Sequence, residues 1–132
     1  MAIDLGDVRT GLALSDPTGT LAGRAWTVSE RNMGRLARIV AQAAEEHGAG
    51  RLVLGYPRNM DGSLGPRAEK SEAFRTLLEG LTDLAVVLWD ERRTTVDAHN
   101  ILQSVGKRGK RKKQVIDAVA ASLILEGYLR SL

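Results

Sequence analysis

The sequence predicts an α/β fold: a mixed five-stranded sheet that opens as an antiparallel three-stranded meander, then alternates strands and helices, with helices on both faces. Three observations carry this. Short apolar segments around Ala2, Gly11 and Leu21 follow one another with only turn residues between them, as hairpin-linked strands do. Two later apolar runs, Arg51-Leu52-Val53-Leu54 and Leu84–Trp89, alternate with segments of helical periodicity, the order expected of strands joined by crossover helices. The 132 residues are 43% hydrophobic but only 4% aromatic, enough for one compact domain whose core rests on Leu, Val, Ile and Ala.

Taken in order, Ala2-Ile3-Asp4-Leu5 reads as a short strand closed by Gly6-Asp7. Gly11–Ser15 is the second strand, and Asp16-Pro17-Thr18-Gly19 the turn into a third over Leu21–Val28. Asn32–His47 is a helix with Met33, Leu36, Ala37, Val40 and Ala44 along one face, stopped by Gly48 and Gly50. After the strand at Arg51–Leu54 comes a loop, Gly55–Pro66, rich in Gly, Pro, Asn and Asp, and then a helix over Arg67–Glu79. Leu84–Trp89 has the uninterrupted apolar character of a buried strand. A helix over Thr95–Val105, a basic loop and a last helix over Lys113–Leu129 complete the chain.

The absence of cysteine excludes disulfides, thiolate zinc sites and cysteine nucleophiles, and suits a reducing compartment. No apolar run reaches the roughly 20 residues that span a bilayer, and the N-terminus lacks signal-peptide character. A cytoplasmic location away from membranes is expected. The net charge is +3, yet residues 107–113 alone carry six cations, and without them the balance is −3. The basic character is therefore local, either a phosphate-contacting arm or a solvated loop.

Three acidic positions stand out. Asp4 lies among apolar residues, where an unpaired carboxylate is costly; as a plain turn residue before Gly6 it would need no such setting. Asp90 and Glu91 end a buried strand, where open α/β sheets place their sites. Successive residues of an extended chain face opposite ways, so one of the two faces the site and the residues alone leave open which. On a helical wheel Asp117 shares a face with Ala120, Ala121, Ile124, Leu125 and Tyr128, opposite Ser122, Glu126 and Arg130. A charge placed only to favour a helix start needs no inward direction. Inward carboxylates from distant segments repel unless a cation lies between them, and Mg²⁺ or Mn²⁺ takes such oxygen ligands, two ions being the arrangement that serves phosphodiester cleavage. His47 and His99 suit surface or packing roles. No phosphate-binding glycine loop and no nucleophile elbow is present.

Together these segments resemble one family. Ile3-Asp4-Leu5-Gly6 with Arg9-Thr10-Gly11-Leu12-Ala13-Leu14-Ser15-Asp16 is similar to the opening of the YqgF proteins, also called RuvX. Gly55-Tyr56-Pro57-Arg58-Asn59-Met60-Asp61-Gly62-Ser63 resembles their central loop, Asp90-Glu91-Arg92-Arg93-Thr94-Thr95 their Asp-Glu-Arg-x-Thr-Thr signature, and Ile116-Asp117-Ala118-x-Ala120-Ala121 their last motif. The likeness spans nearly the whole chain. It implies a ribonuclease H-like fold related to the RuvC resolvases, and a bacterial nuclease that matures the 5′ end of the small-subunit ribosomal RNA precursor or cleaves four-way DNA junctions. It also implies Asp4, Glu91 and Asp117 as catalytic metal ligands, choosing Glu91 over Asp90. The chain has fewer residues before Asp4 than the family pattern, so the first strand is expected to be short.

For the substrate, a structured RNA or branched DNA, the expected contacts are Arg9, Arg92, Thr94 and the basic residues Lys107, Arg108, Lys110 and Arg111, with Asn59 and Ser63 presented by the central loop. Few aromatics means no base-stacking platform, so backbone shape is the expected basis of recognition. A strict junction resolvase needs two sites and hence a dimer. The sequence shows no obvious dimer interface, and a monomer or weak homodimer is expected. Two further functions are compatible with the residues: a nucleic-acid or ribosome-binding module without catalysis, and a small phosphotransferase or ATPase.

Overall fold

The computed structural model describes residues 1–16, 22–56, 65–90 and 110–132, with side chains excepted at 110–115. Its strands are β1 (Ala2–Asp4), β2 (Arg9–Ser15), β3 (Ala22–Ser29), β4 (Leu52–Tyr56) and β5 (Val86–Asp90); its helices are α1 (Met33–Glu46), α2 (Pro66–Glu79) and α3 (Lys110–Arg130). They form one five-stranded sheet in the order β3-β2-β1-β4-β5. The meander pairs antiparallel, whereas β4 joins β1 and β5 joins β4 in parallel. This is the expected mixed sheet. The helix expected over Thr95–Val105 lies outside the described residues.

Side-chain alternation divides the sheet into two apolar faces. Ile3, Leu12, Leu52 and Leu54 point to one face and pack with Leu36, Ala37, Val40 and Ala44 of α1 and with Phe74 and Leu78 of α2. Ala2, Ala13, Val53 and Trp89 point to the other and meet Ala121, Ile124, Leu125 and Tyr128 of α3. Gly11 on β2 leaves room for the backbone of α3 at Asp117, so the helix lies close to the strands there. Asn32 caps α1, its side-chain oxygen accepting from the Arg35 N–H at 2.9 Å. Gly48 ends that helix in the left-handed region, at φ 67°.

Several boundaries differ from the sequence reading. β2 begins at Arg9, because Arg9 and Thr10 continue the ladder opposite Ser29 and Val28. β4 runs on to Tyr56, since Gly55 and Tyr56 pair with Trp89 and Asp90. That takes two residues from the expected loop and carries β5 to Asp90; β5 itself starts at Val86, two residues later than the apolar run. α3 begins at Lys110, so Lys110–Lys113 belong to a helix and not to a basic loop.

Candidate active site at the carboxyl end of β1

β1 places Ala2 on the α3 face, Ile3 on the opposite face and Asp4 on the α3 face again, by the two-residue alternation of a strand. Across the antiparallel ladder Asp4 pairs with Gly11 of β2. Gly11 is where α3 meets the sheet: a β-carbon there would stand 2.0 Å from the backbone oxygen of Asp117. Glycine at this position allows helix and strand backbones to touch. Asp4 and Asp117, 113 positions apart in the chain, are thus each immediate neighbours of the same glycine.

Arg9, two residues before Gly11 on the same side of β2, reaches the Asp117 side chain. Its Nε donates to Oδ2 at 3.0 Å, and the pair is largely shielded, at 30% and 19% side-chain exposure. Burial pushes the Asp117 carboxyl above the ordinary carboxylate value, while the hydrogen bond and charge of Arg9 act to lower it. The turn from β1 to β2 is held tight: the Gly6 N–H donates to the buried Thr10 Oγ1 at 3.3 Å, and a β-carbon on Gly6 would stand 2.0 Å from the Arg9 carbonyl oxygen. This turn fixes Arg9 relative to Asp4.

Asp90 is directed elsewhere. It pairs with Tyr56, whose side chain lies toward α2 and donates through its hydroxyl to Glu72 at 3.1 Å. By register Asp90 shares that face, opposite the face of Asp4 and Asp117. Glu91, Arg92, Thr94, Asn59, Ser63, Lys107 and Arg108 lie outside the described residues. Lys110 and Arg111 fall on the first turn of α3. Of the positions expected at the site, the structure therefore joins Asp4, Arg9 and Asp117.

Two half-buried carboxylates on one sheet face offer hard oxygen donors of the kind that Mg²⁺ and Mn²⁺ take. Among the described residues no third His, Cys, Asp or Glu completes a metal-holding group. The Arg9–Asp117 pair is not evident from the sequence, where Arg9 has only the character of a phosphate contact. Its signal was present in the meander: placing Asp4 opposite Gly11 puts Arg9 on the face that an inward Asp117 must approach.

The family model described as "RuvX: Holliday junction resolvase" matches residues 1–131. The chain belongs to the RuvX family. Relatives within it share about two-fifths of their residues with this chain. A protein of Pelotomaculum thermopropionicum is 43% identical over 136 residues, covering 99% of this chain and 86% of its own length. Others from Lachnospira eligens and Bacillus pumilus are 42% and 40% identical, covering 99% and 100% of this chain and 96% and 97% of their own lengths. All three bear the name "Putative pre-16S rRNA nuclease". Among solved structures, Thermus thermophilus RuvC in complex with a Holliday junction substrate superposes with a TM-score of 0.64 over 98% of this RuvX chain and 92% of RuvC, at 13% identity. A second RuvC structure from the same source gives 0.58, at 12% identity. These likenesses establish the RuvC-type, ribonuclease H-like fold for this RuvX member.

Proposed function

We propose that the protein is a divalent-metal-dependent nuclease that hydrolyses phosphodiester bonds in maturing the 5′ end of pre-16S ribosomal RNA. The observation that carries this reading is the convergence of Asp4 and Asp117 on Gly11, within a chain of the RuvX family whose relatives carry the pre-16S nuclease name. Asp4, Glu91 and Asp117 would hold the ions. Glu91 enters through the Asp-Glu-Arg-x-Thr-Thr signature, and the register of Asp90, paired with Tyr56 on the opposite face, supports choosing it over Asp90. When bound, Mg²⁺ or Mn²⁺ makes water acidic enough to attack near neutral pH and offsets charge on the leaving oxygen.

The chain's own residues do the rest. Arg9 orients Asp117 and keeps its charge from facing Asp4 uncompensated. Backbone contact at Gly11 fixes the spacing of the two carboxylates, which a metal-ligand set demands to within about 0.5 Å. α3 opens with four consecutive cations, Lys110–Lys113, and has no acidic residue in its first turn. Cations crowd unfavourably at the positive end of a helix, and a polyanion laid across them relieves that repulsion. Arg9, Arg92, Thr94, Lys107, Arg108, Lys110 and Arg111, with Asn59 and Ser63 of the central loop, are the proposed substrate contacts.

Cleavage of four-way DNA junctions is the second reading, favoured by the family description and by the likeness to RuvC. The two separate in one assay that offers a pre-16S 5′-end precursor and a four-way junction side by side with Mn²⁺. Trimming of the RNA supports the first reading. Symmetric nicking of the junction, with the RNA left intact, supports the second. Salt-sensitive binding without cleavage of either would contradict both and leave a binding module.

A further inference from the structure

A second charged cluster lies beside the proposed site and has no part in it so far. The turn that follows Asp4 exposes Asp7, whose side chain is 89% accessible and forms an ion pair with the half-buried Lys70 of α2. The hydrogen bond and the charge of Lys70 hold the Asp7 carboxyl below its ordinary value, and Arg67, exposed one helical turn earlier on α2, adds a smaller positive field. Gly6, Asp7, Gly55, Arg67 and Lys70 line one small notch. Gly55 follows Leu54, the β4 partner of Ile3, so the notch opens at the same strand ends as Asp4.

We propose that Arg67 and Lys70 form a backbone-phosphate subsite beside the cleavage site, and that Asp7 is the carboxylate a substrate phosphate displaces. This rests on the nucleic-acid reading above. An ion pair with so exposed a carboxylate is worth little in stability, so the arrangement is poorly explained as a structural pin. Two cations line one notch, matching a phosphate in charge, and a guanidinium can pair a phosphate through two N–H groups. The Asp7 carboxylate competes for the same donors and can swing into solvent when a phosphate arrives.

The signs of the mutational effects decide the matter. Binding of a fluorescein-labelled pre-16S 5′-end RNA is followed by anisotropy in Ca²⁺ buffer at several salt concentrations. Lys70→Ala and Arg67→Ala are each expected to weaken binding on the order of fivefold at 0.1 M salt and to make the log–log salt slope shallower by about 0.7. Asp7→Asn is expected to tighten binding by a similar factor and to lower KM without raising kcat. A structural pin predicts instead that Asp7→Asn and Lys70→Ala act in the same direction, with matching losses of melting temperature; that pattern overturns the proposal. Lys70→Gln, which keeps the stem, separates loss of charge from loss of packing. Should the parent bind and all variants match it, the subsite is refuted and the nuclease reading stands. Should the parent not bind this RNA at any salt concentration, both fall together.

Discussion

Asp117 is held between opposing influences: burial, which favours the neutral carboxyl, and Arg9, which favours the charged one. Burial prevails, so the folded pKa lies above the unfolded one. The sign for stability follows from linkage. Below the unfolded value both states are protonated. As pH rises through the folded value the unfolded chain has already lost its proton, and stability is lost. In chelator-treated buffer the denaturant midpoint of Asp117→Asn should therefore gain on that of the parent as pH rises from about 3 to neutrality, the unfolded carboxyl titrating near 3.9. Arg9→Gln removes the opposing influence, and the Asp117 carboxyl should titrate higher still in a carbon-detected NMR titration; an unchanged or lower value would show that Arg9 does not act on it. Gly11→Ala sets a methyl group against the Asp117 backbone oxygen, at the 2.0 Å noted above. Such overpacking should cost about 3 kcal/mol by urea denaturation, with activity falling as the carboxylates separate. The inward direction of Asp117 was legible in the sequence because helical periodicity is a local property. Its partner Arg9 was not, because the pairing depends on which strand α3 crosses.

The elements were legible in number and order among the described residues, and misjudged at their ends. β4 passes through Gly55 and Tyr56 although glycine discourages strand, since the parallel ladder to Trp89 and Asp90 supplies hydrogen bonds that local composition does not reveal. Lys110–Lys113 joins α3 although four adjacent cations favour an extended, solvated loop. That cost is local and electrostatic. Replacing Lys110, Arg111, Lys112 and Lys113 together by Gln should stabilise the free protein by roughly 1 kcal/mol or more, read as a higher denaturant midpoint at low salt. The same change should make the salt dependence of RNA binding shallower by up to about 3 in log–log slope. A variant that is no more stable, and binds RNA with the parental slope, would assign those cations to neither role.

At the scale of the molecule, the meander and the parallel crossovers place the carboxyl end of β1 and the first turns of α3 at one end of the sheet. The α1–α2 layer supports the opposite face and contributes Arg67 and Lys70 near that same end. No helix among the described residues is long and apolar enough to cross a membrane. Chain order alone indicated this architecture. The family motifs added what order could not, namely the proposal that the acidic strand end, the inward helix carboxylate and Asp4 act as one site. The most direct test of that claim is single-turnover cleavage of the pre-16S precursor in Mn²⁺ by the parent and by Asp4→Asn, Glu91→Gln and Asp117→Asn. The parent is expected to cut, chelator to stop it, and each variant to lose activity by about a hundredfold or more while remaining folded and RNA-bound. Parental rates in the folded Asp4 and Asp117 variants would contradict the claim.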